Sequence, residues 1–210
     1  MIFFKIDDKF PDSTIVFVDS SINATKVIQL NKSKISCLVD ENNNVKLINY
    51  YEPVKLDRNY GFLPIDLQNS IISKIKNENK ELMFNKKEFF KLGKIIKREK
   101  HPNSDKLAVL TIDYKEFKNQ IITNTTFTNE DKFFIFALEG AITAQGDEIK
   151  SGKILSVESN GMLASPKALG IKKYDKNNWE EFINLINQSE FIDKYWGNDL
   201  TEIITKLQGE

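Results

Sequence analysis

Two short stretches of this chain have residue types and spacing that could do chemistry. They are His101-Pro102-Asn103-Ser104-Asp105-Lys106-Leu107 and, some fifty residues later, Ser159-Asn160-Gly161-Met162-Leu163-Ala164-Ser165. His101 is the one histidine and Cys37 the one cysteine of the chain. Neither a Cys-x-x-Cys pair nor a His-Glu-x-x-His helix exists, so no metal centre of that kind is expected. A histidine can also serve a catalytic serine, but no Gly-x-Ser-x-Gly elbow accompanies this one. No nucleophile–base set is visible, and the chain reads as a non-enzyme without cofactor or catalytic residues. The residues after His101 suit a tight turn. Pro102 fixes its own backbone angle, while Asn103 and Asp105 can hydrogen-bond nearby main chain. His101 is then either a structural part of that turn or a ligand contact. In the second stretch Gly161 permits a backbone conformation that a β-carbon opposes. Ser159 and Met162 offer a hydroxyl and a flexible thioether to an unstacked base or sugar, or else cap a turn and fill a core.

Ahead of the histidine runs a basic segment: Lys86, Lys87, Lys91, Lys94, Lys97, Arg98, Lys100 and Lys106, against Glu88, Glu99 and Asp105. By strict strand alternation Lys94 and Arg98 share one face, and Lys97 and Glu99 the other. Net charge is zero, but residues 85–173 carry 16 basic and 11 acidic side chains, while residues 174–210 carry 3 and 8. A neutral protein can still bind nucleic acid where its positive charge is gathered on one face. No apolar run approaches the roughly 20 residues of a membrane span, so no membrane partner is expected. The first residues lack the pattern of a secretory signal. One cysteine, placed in an apolar strand, fits a reducing cytoplasm.

The elements that must hold these motifs are mostly strands. Segments 1–6, 14–19, 25–30, 34–39 and 45–50 are short and rich in β-branched and aromatic residues, with turn residues between them. Leu67, Ile71, Ile72 and Ile75 then recur at helical spacing, which predicts a helix from Asp66 to about residues 77–80. The polar segment 85–88 is the expected boundary. Beyond it, strands are predicted at 94–100, 106–114, 119–125, 132–138 and 153–158. Five short strands with few helices suit a Greek-key barrel of the OB type. Ser165-Pro166 followed by Gly170 predicts one helical turn. The fold class is therefore α+β and mostly β. Residues 1–84 form a small α+β domain of unstated role, and residues 89–210 form an OB barrel with a helical tail at 174–210. The tail carries two apolar stripes, Trp179/Phe182/Ile183/Ile186 and Leu200/Ile203/Ile204/Leu207, and is expected to pack back on the protein, since short isolated helices are marginal in water.

The two motifs, in this order and with strands between them, resemble the tRNA-binding domain of the bacterial phenylalanyl-tRNA synthetase beta chain. The preceding residues, with Pro11-Asp12-Ser13-Thr14-Ile15-Val16 and Gly61-Phe62-Leu63-Pro64, are similar to the N-terminal part of free-standing YtpR-type tRNA-binding proteins. The resemblance implies a cytoplasmic protein of translation that grips tRNA by shape and backbone. It implies RNA contacts from Lys94, Lys97, Arg98, Lys100, His101, Asn103, Lys106, Asn124, Ser159 and Met162, with Ser159 on the binding surface. The family's usual small-Gly step in the third-strand loop is here Thr123-Asn124. The alternative is a protein-interaction module or scaffold that associates with aminoacyl-tRNA synthetases. A homodimer is left open, as is the tRNA preferred.

Overall fold

The computed structural model describes residues 1–6, 9–174 and 179–209. Residues 175–178 and 210 of the expected tail lie outside that description. The described chain divides into two units, Met1–Lys87 and Glu88–Glu210.

In the first unit the alternating apolar segments become strands β1 (Ile2–Lys5), β2 (Thr14–Phe17), β3 (Lys26–Leu30), β4 (Ile35–Val39), β5 (Val45–Tyr50) and β6 (Tyr60–Phe62), followed by helix α1 (Ile65–Glu78). They make one antiparallel sheet in the order β3-β4-β5-β2-β1-β6. Val16, Ile35, Cys37, Val39 and Ile48 bury their side chains in a core with Ile71 and Ile75 of α1. Asp40 accepts hydrogen bonds from the backbone N–H groups of Asn42 and Asn44, and Asn43 takes a left-handed conformation, so the β4–β5 connection is built as its sequence suggests. Strand β6 has no counterpart among the sequence expectations; three residues beside a glycine give too short a pattern to read.

The second unit contains β7 (Phe90–Lys100), β8 (Ala108–Asp113), β9 (Lys118–Thr123), β10 (Phe133–Ala137), β11 (Ser151–Ile154), β12 (Val157–Asn160) and β13 (Met162–Leu163). Five of them pair in the order β13-β10-β7-β8-β9. The open edges, β9 and the β12–β13 segment, meet through side chains. Asn119 donates to the Asn160 carbonyl at 2.9 Å, Gln120 to the Glu158 carbonyl at 2.7 Å, and the Ile122 N–H to Ser159 Oγ at 3.1 Å. The result is a nearly closed five-stranded barrel with the strand order of an OB fold. Ile95, Leu110, Ile112, Ile121, Phe134 and Phe136 fill it.

Two strand expectations need correction. The predicted strand 153–158 is a hairpin, β11–β12, that turns at Leu155 and Ser156; the barrel's fifth strand is β13. Strict alternation along β7 also fails, because its register with β8 shifts between Ile95 and Lys97. The extra residue reverses the phase. Lys94 pairs with Asp113 and Lys97 with Thr111, so these two lysines share a face, while Arg98 pairs with Leu110 on the other. Lys94 and Arg98 do not.

Past β13, the Ser165 carbonyl accepts the Leu169 N–H at 3.0 Å and the Ser165 hydroxyl accepts the Ala168 N–H at 3.0 Å, closing one turn. Helices α2 (Trp179–Ile186), α3 (Ser189–Tyr195) and α4 (Thr201–Gln208) follow. Their apolar stripes pack inward: Phe182, Ile186, Phe191, Leu200, Ile204 and Leu207 are buried. Polar side chains pin the helices to strand backbone. The Asn187 amide accepts the Phe133 N–H and donates to the Phe133 carbonyl, both at 2.9 Å, and the Trp196 indole donates to the Asp113 carbonyl at 3.0 Å. The tail is thus part of the domain's packing.

Candidate nucleic-acid interface

OB barrels bind oligonucleotides on the face of their second and third strands and through the loops after strands one and four. Here those are β8 and β9, residues 101–107, and the long connection 138–161 that carries the β11–β12 hairpin. The structure ties the two loops together. His101 is 1% exposed. Its Nδ1 accepts the Asn103 N–H at 3.1 Å, so Nε2 carries the proton and donates to the Ile154 carbonyl at 3.1 Å. Asn103 Nδ2 donates to the Leu155 carbonyl at 2.9 Å. Two side chains of the His-Pro-Asn turn therefore hold two successive carbonyls at the hairpin tip.

That tip is conformationally demanding. Leu155 and Ser156 have φ of 44° and 70°, in the left-handed region that costs non-glycine residues roughly 1–2 kcal/mol each. Such backbone persists where neighbours over-determine it, which His101 and Asn103 do. The turn exposes Ile154 and Leu155 at 41% and 54%. Lys153, exposed on β11 and opposite Glu158, was not among the expected site residues. Its absence follows from reading 153–158 as a single strand.

The remaining site residues fall into three groups. Lys97, Arg98, Lys100 and Lys106 are exposed, and so are Asn103 and Asn124. Lys97 pairs with Glu99 at 2.9 Å and Lys100 with Asp105 at 2.5 Å, while the Arg98 guanidinium donates to Thr128 Oγ1 at 3.3 Å. Lys94 is partly buried and its ammonium lies 2.7 Å from Asp131; that hydrogen bond holds the Asp131 carboxyl below the usual carboxylate range. Met162 is partly buried on β13, opposite Ala137. Of the wider basic run, Lys91 is buried, donating to the Gly197 carbonyl at 2.7 Å and ion-paired with Glu88, so it is unavailable to a ligand.

Ser159 corrects an expectation. The resemblance puts it on the binding surface, whereas it is 4% exposed and its hydroxyl makes two hydrogen bonds inside the barrel. It accepts the Ile122 N–H at 3.1 Å and donates to the Gly161 carbonyl at 3.3 Å. Next to it, Gly161 has φ of 140°, and a β-carbon there would lie 2.6 Å from the Ala137 carbonyl oxygen. The Ser-Asn-Gly-Met stretch thus zips the barrel. His101 is likewise buried, with its imidazole holding the hairpin tip.

Comparison with known proteins bears on what this barrel is. The model of the family described as "Putative tRNA binding domain" matches residues 90–183. Residues 90–183 are therefore similar to the domain that this family describes. The phenylalanine–tRNA ligase beta subunit of Clostridium tetani is 40% identical over 80 residues, 38% of this chain and 10% of that one. The "Putative tRNA-binding protein YtpR" of Bacillus subtilis is 33% identical over 82 residues, covering 39% of this chain and 41% of that one. The chain therefore spans about a tenth of the ligase subunit and two fifths of the YtpR protein. A solved structure of a MetRS related protein from Pyrococcus horikoshii is 29% identical over 37% of this chain and 67% of that one, with a TM-score of 0.30. The tRNA-binding domain match ends inside α2, so α3 and α4 lie beyond it.

Proposed function

We propose that this chain is a non-catalytic, cytoplasmic tRNA-binding protein. The observation that carries the reading is the double tie from His101 and Asn103 to the β11–β12 tip, within a barrel of the tRNA-binding domain family. It makes one preformed surface of two loops that OB barrels use for nucleic acid, and a preformed surface loses less entropy on binding.

Lys97, Arg98, Lys100, Lys106 and Lys153 supply the attraction to phosphates. The carboxylates beside Lys97 and Lys100 are small obstacles, because an exposed ion pair is worth only about 0–1 kcal/mol. A polyphosphate backbone can replace such partners. Asn103, Asn124 and Met162 make local contacts; His101 positions the hairpin tip, and Ser159 closes the barrel. Recognition of this kind reads shape, backbone and 2′-hydroxyls rather than an amino-acid-specific code. No helix among the described residues is long and apolar enough to cross a membrane. A homodimer would give one tRNA two such surfaces, and size-exclusion chromatography with and without tRNA tests it.

A scaffold for aminoacyl-tRNA synthetases is the less favoured reading. Pull-down from lysate with and without nuclease separates the two. Loss of the synthetase after nuclease supports direct RNA binding, whereas persistence supports the scaffold.

A further inference from the structure

Beside the basic surface lies a cleft of about 520 Å³ that the proposed contacts do not use. Its walls are aromatic and aliphatic: Phe127 from the β9–β10 connection, Phe134 from β10, and Trp179 and Ile183 from α2. Phe127 and Trp179 meet edge-on with ring centroids 5.7 Å apart, and Trp179 lies parallel to Phe182 at 6.0 Å. Phe127 is 41% exposed, unusual for a ring that could have turned inward. Its polar lining is two amides, Asn129 and Asn184, the ammonium of Lys132 and the carboxylate of Glu180.

We propose that this cleft receives one unstacked nucleobase of the bound RNA. The inference rests on the tRNA-binding reading and adds a base-contacting site to it. Three observations favour a base over other apolar occupants. The exposed Phe127 and the partly exposed Trp179 offer ring faces to a planar ligand, and stacking on such platforms is how OB barrels hold single strands. The amides of Asn129 and Asn184 supply both donors and acceptors, which base edges require and an aliphatic peptide side chain does not. The same connection also carries Asn124 and abuts Arg98, whose backbone N–H donates to Glu130 at 2.8 Å and whose guanidinium reaches Thr128. A strand whose phosphates follow Arg98 and Lys132 passes the mouth of the cleft.

The test compares tRNA with a blunt RNA duplex of similar length, which has no free base to offer. Binding of both is measured for the full-length protein, for Phe127→Ala, for Phe127→Leu and for the double variant Lys97→Ala/Lys106→Ala. Phe127→Ala and Phe127→Leu should each weaken tRNA binding on the order of tenfold while leaving duplex binding unchanged, since leucine keeps the apolar contact but not the stacking face. The double variant should weaken both RNAs. Trp179 provides an independent readout: in Trp196→Phe protein, its fluorescence should be quenched by tRNA and not by duplex. Unchanged tRNA affinity in Phe127→Ala, with salt-dependent binding intact in the parent protein, would overturn this site alone. The same result with loss of a co-purifying protein would reassign the cleft to a protein partner and equally overturn it. Failure of the parent protein to bind tRNA would sink the underlying reading instead.

Discussion

The Ser159 hydroxyl lies 3.1 Å from the Ile122 backbone nitrogen, and this contact joins the two free edges of the barrel. The residue is buried, so replacing it leaves an N–H without a partner. Ser159→Ala should cost about 1–3 kcal/mol, the penalty of an unsatisfied buried donor. Thermal unfolding measures it. Well below the midpoint, tRNA affinity should stay within about twofold of the parent, within the error of a group that does not touch RNA. A large affinity loss in a fully folded Ser159→Ala protein would return Ser159 to the binding surface.

The hairpin tip gives a prediction of opposite sign. Ser156 sits at φ 70°, where glycine avoids roughly 1–2 kcal/mol of strain. Glycine also adds backbone freedom to the unfolded chain, costing about 0.5–1 kcal/mol. Strain wins, and Ser156→Gly should stabilise the protein by about 0.5 kcal/mol. His101→Ala should act the other way by freeing the tip, and hydrogen exchange of residues 151–160 should quicken.

How far the sequence spoke follows from these two sites. The His-Pro-Asn turn and the Ser-Asn-Gly-Met stretch were visible as motifs, and so was the barrel, because apolar alternation and turn residues are local signals. The β11–β12 hairpin was not, because its turn is Leu155-Ser156 and lacks the Asn-Gly or Asp-Gly pair that announces left-handed backbone. What permits that turn comes from His101 and Asn103, about fifty residues away. Facing along β7 was misread for a similar reason: a one-residue bulge leaves no mark in composition but reverses every side chain after it. Burial of Ser159 was hidden because a polar residue next to glycine reads as surface. The tail was legible through its stripes, and its docking on β10 and β7 is what those stripes required.

Asp131 links the surface charge to pH. Its folded pKa lies below the ordinary carboxylate value because Lys94 donates to it. The pair's contribution is therefore complete above that ordinary value and is lost as pH falls through the lowered one. Asp131 is exposed, so little stability is at stake. The larger effect is on binding. Asp131→Asn frees the Lys94 ammonium and should raise tRNA affinity at neutral pH, steepening the log–log salt slope by about one. An unchanged slope would show that the freed Lys94 does not reach phosphate.

Cys37 offers a check on the first unit. Burial in the sheet core pushes its thiol up to about 12. The folded thiol stays protonated while an unfolded one ionises near its ordinary value, so stability should fall as pH rises past roughly 9. Below that the group contributes no pH dependence. Labelling by a thiol reagent at pH 8 should be slow in the native protein and complete within the mixing time in denaturant. Fast native labelling would contradict the burial.

The central claim is best tested by tRNA binding across a salt series. Five exposed cations of the barrel (Lys97, Arg98, Lys100, Lys106 and Lys153) engaging phosphate predict a slope of log affinity on log salt of about −4 to −5, from about 0.9 per contact. At physiological salt, bulk tRNA should bind at least tenfold more tightly than an unrelated polyanion of equal charge, about 1.4 kcal/mol, because loop contacts add to the electrostatics. A flat salt dependence, or equal affinity for tRNA and the polyanion, would contradict the account.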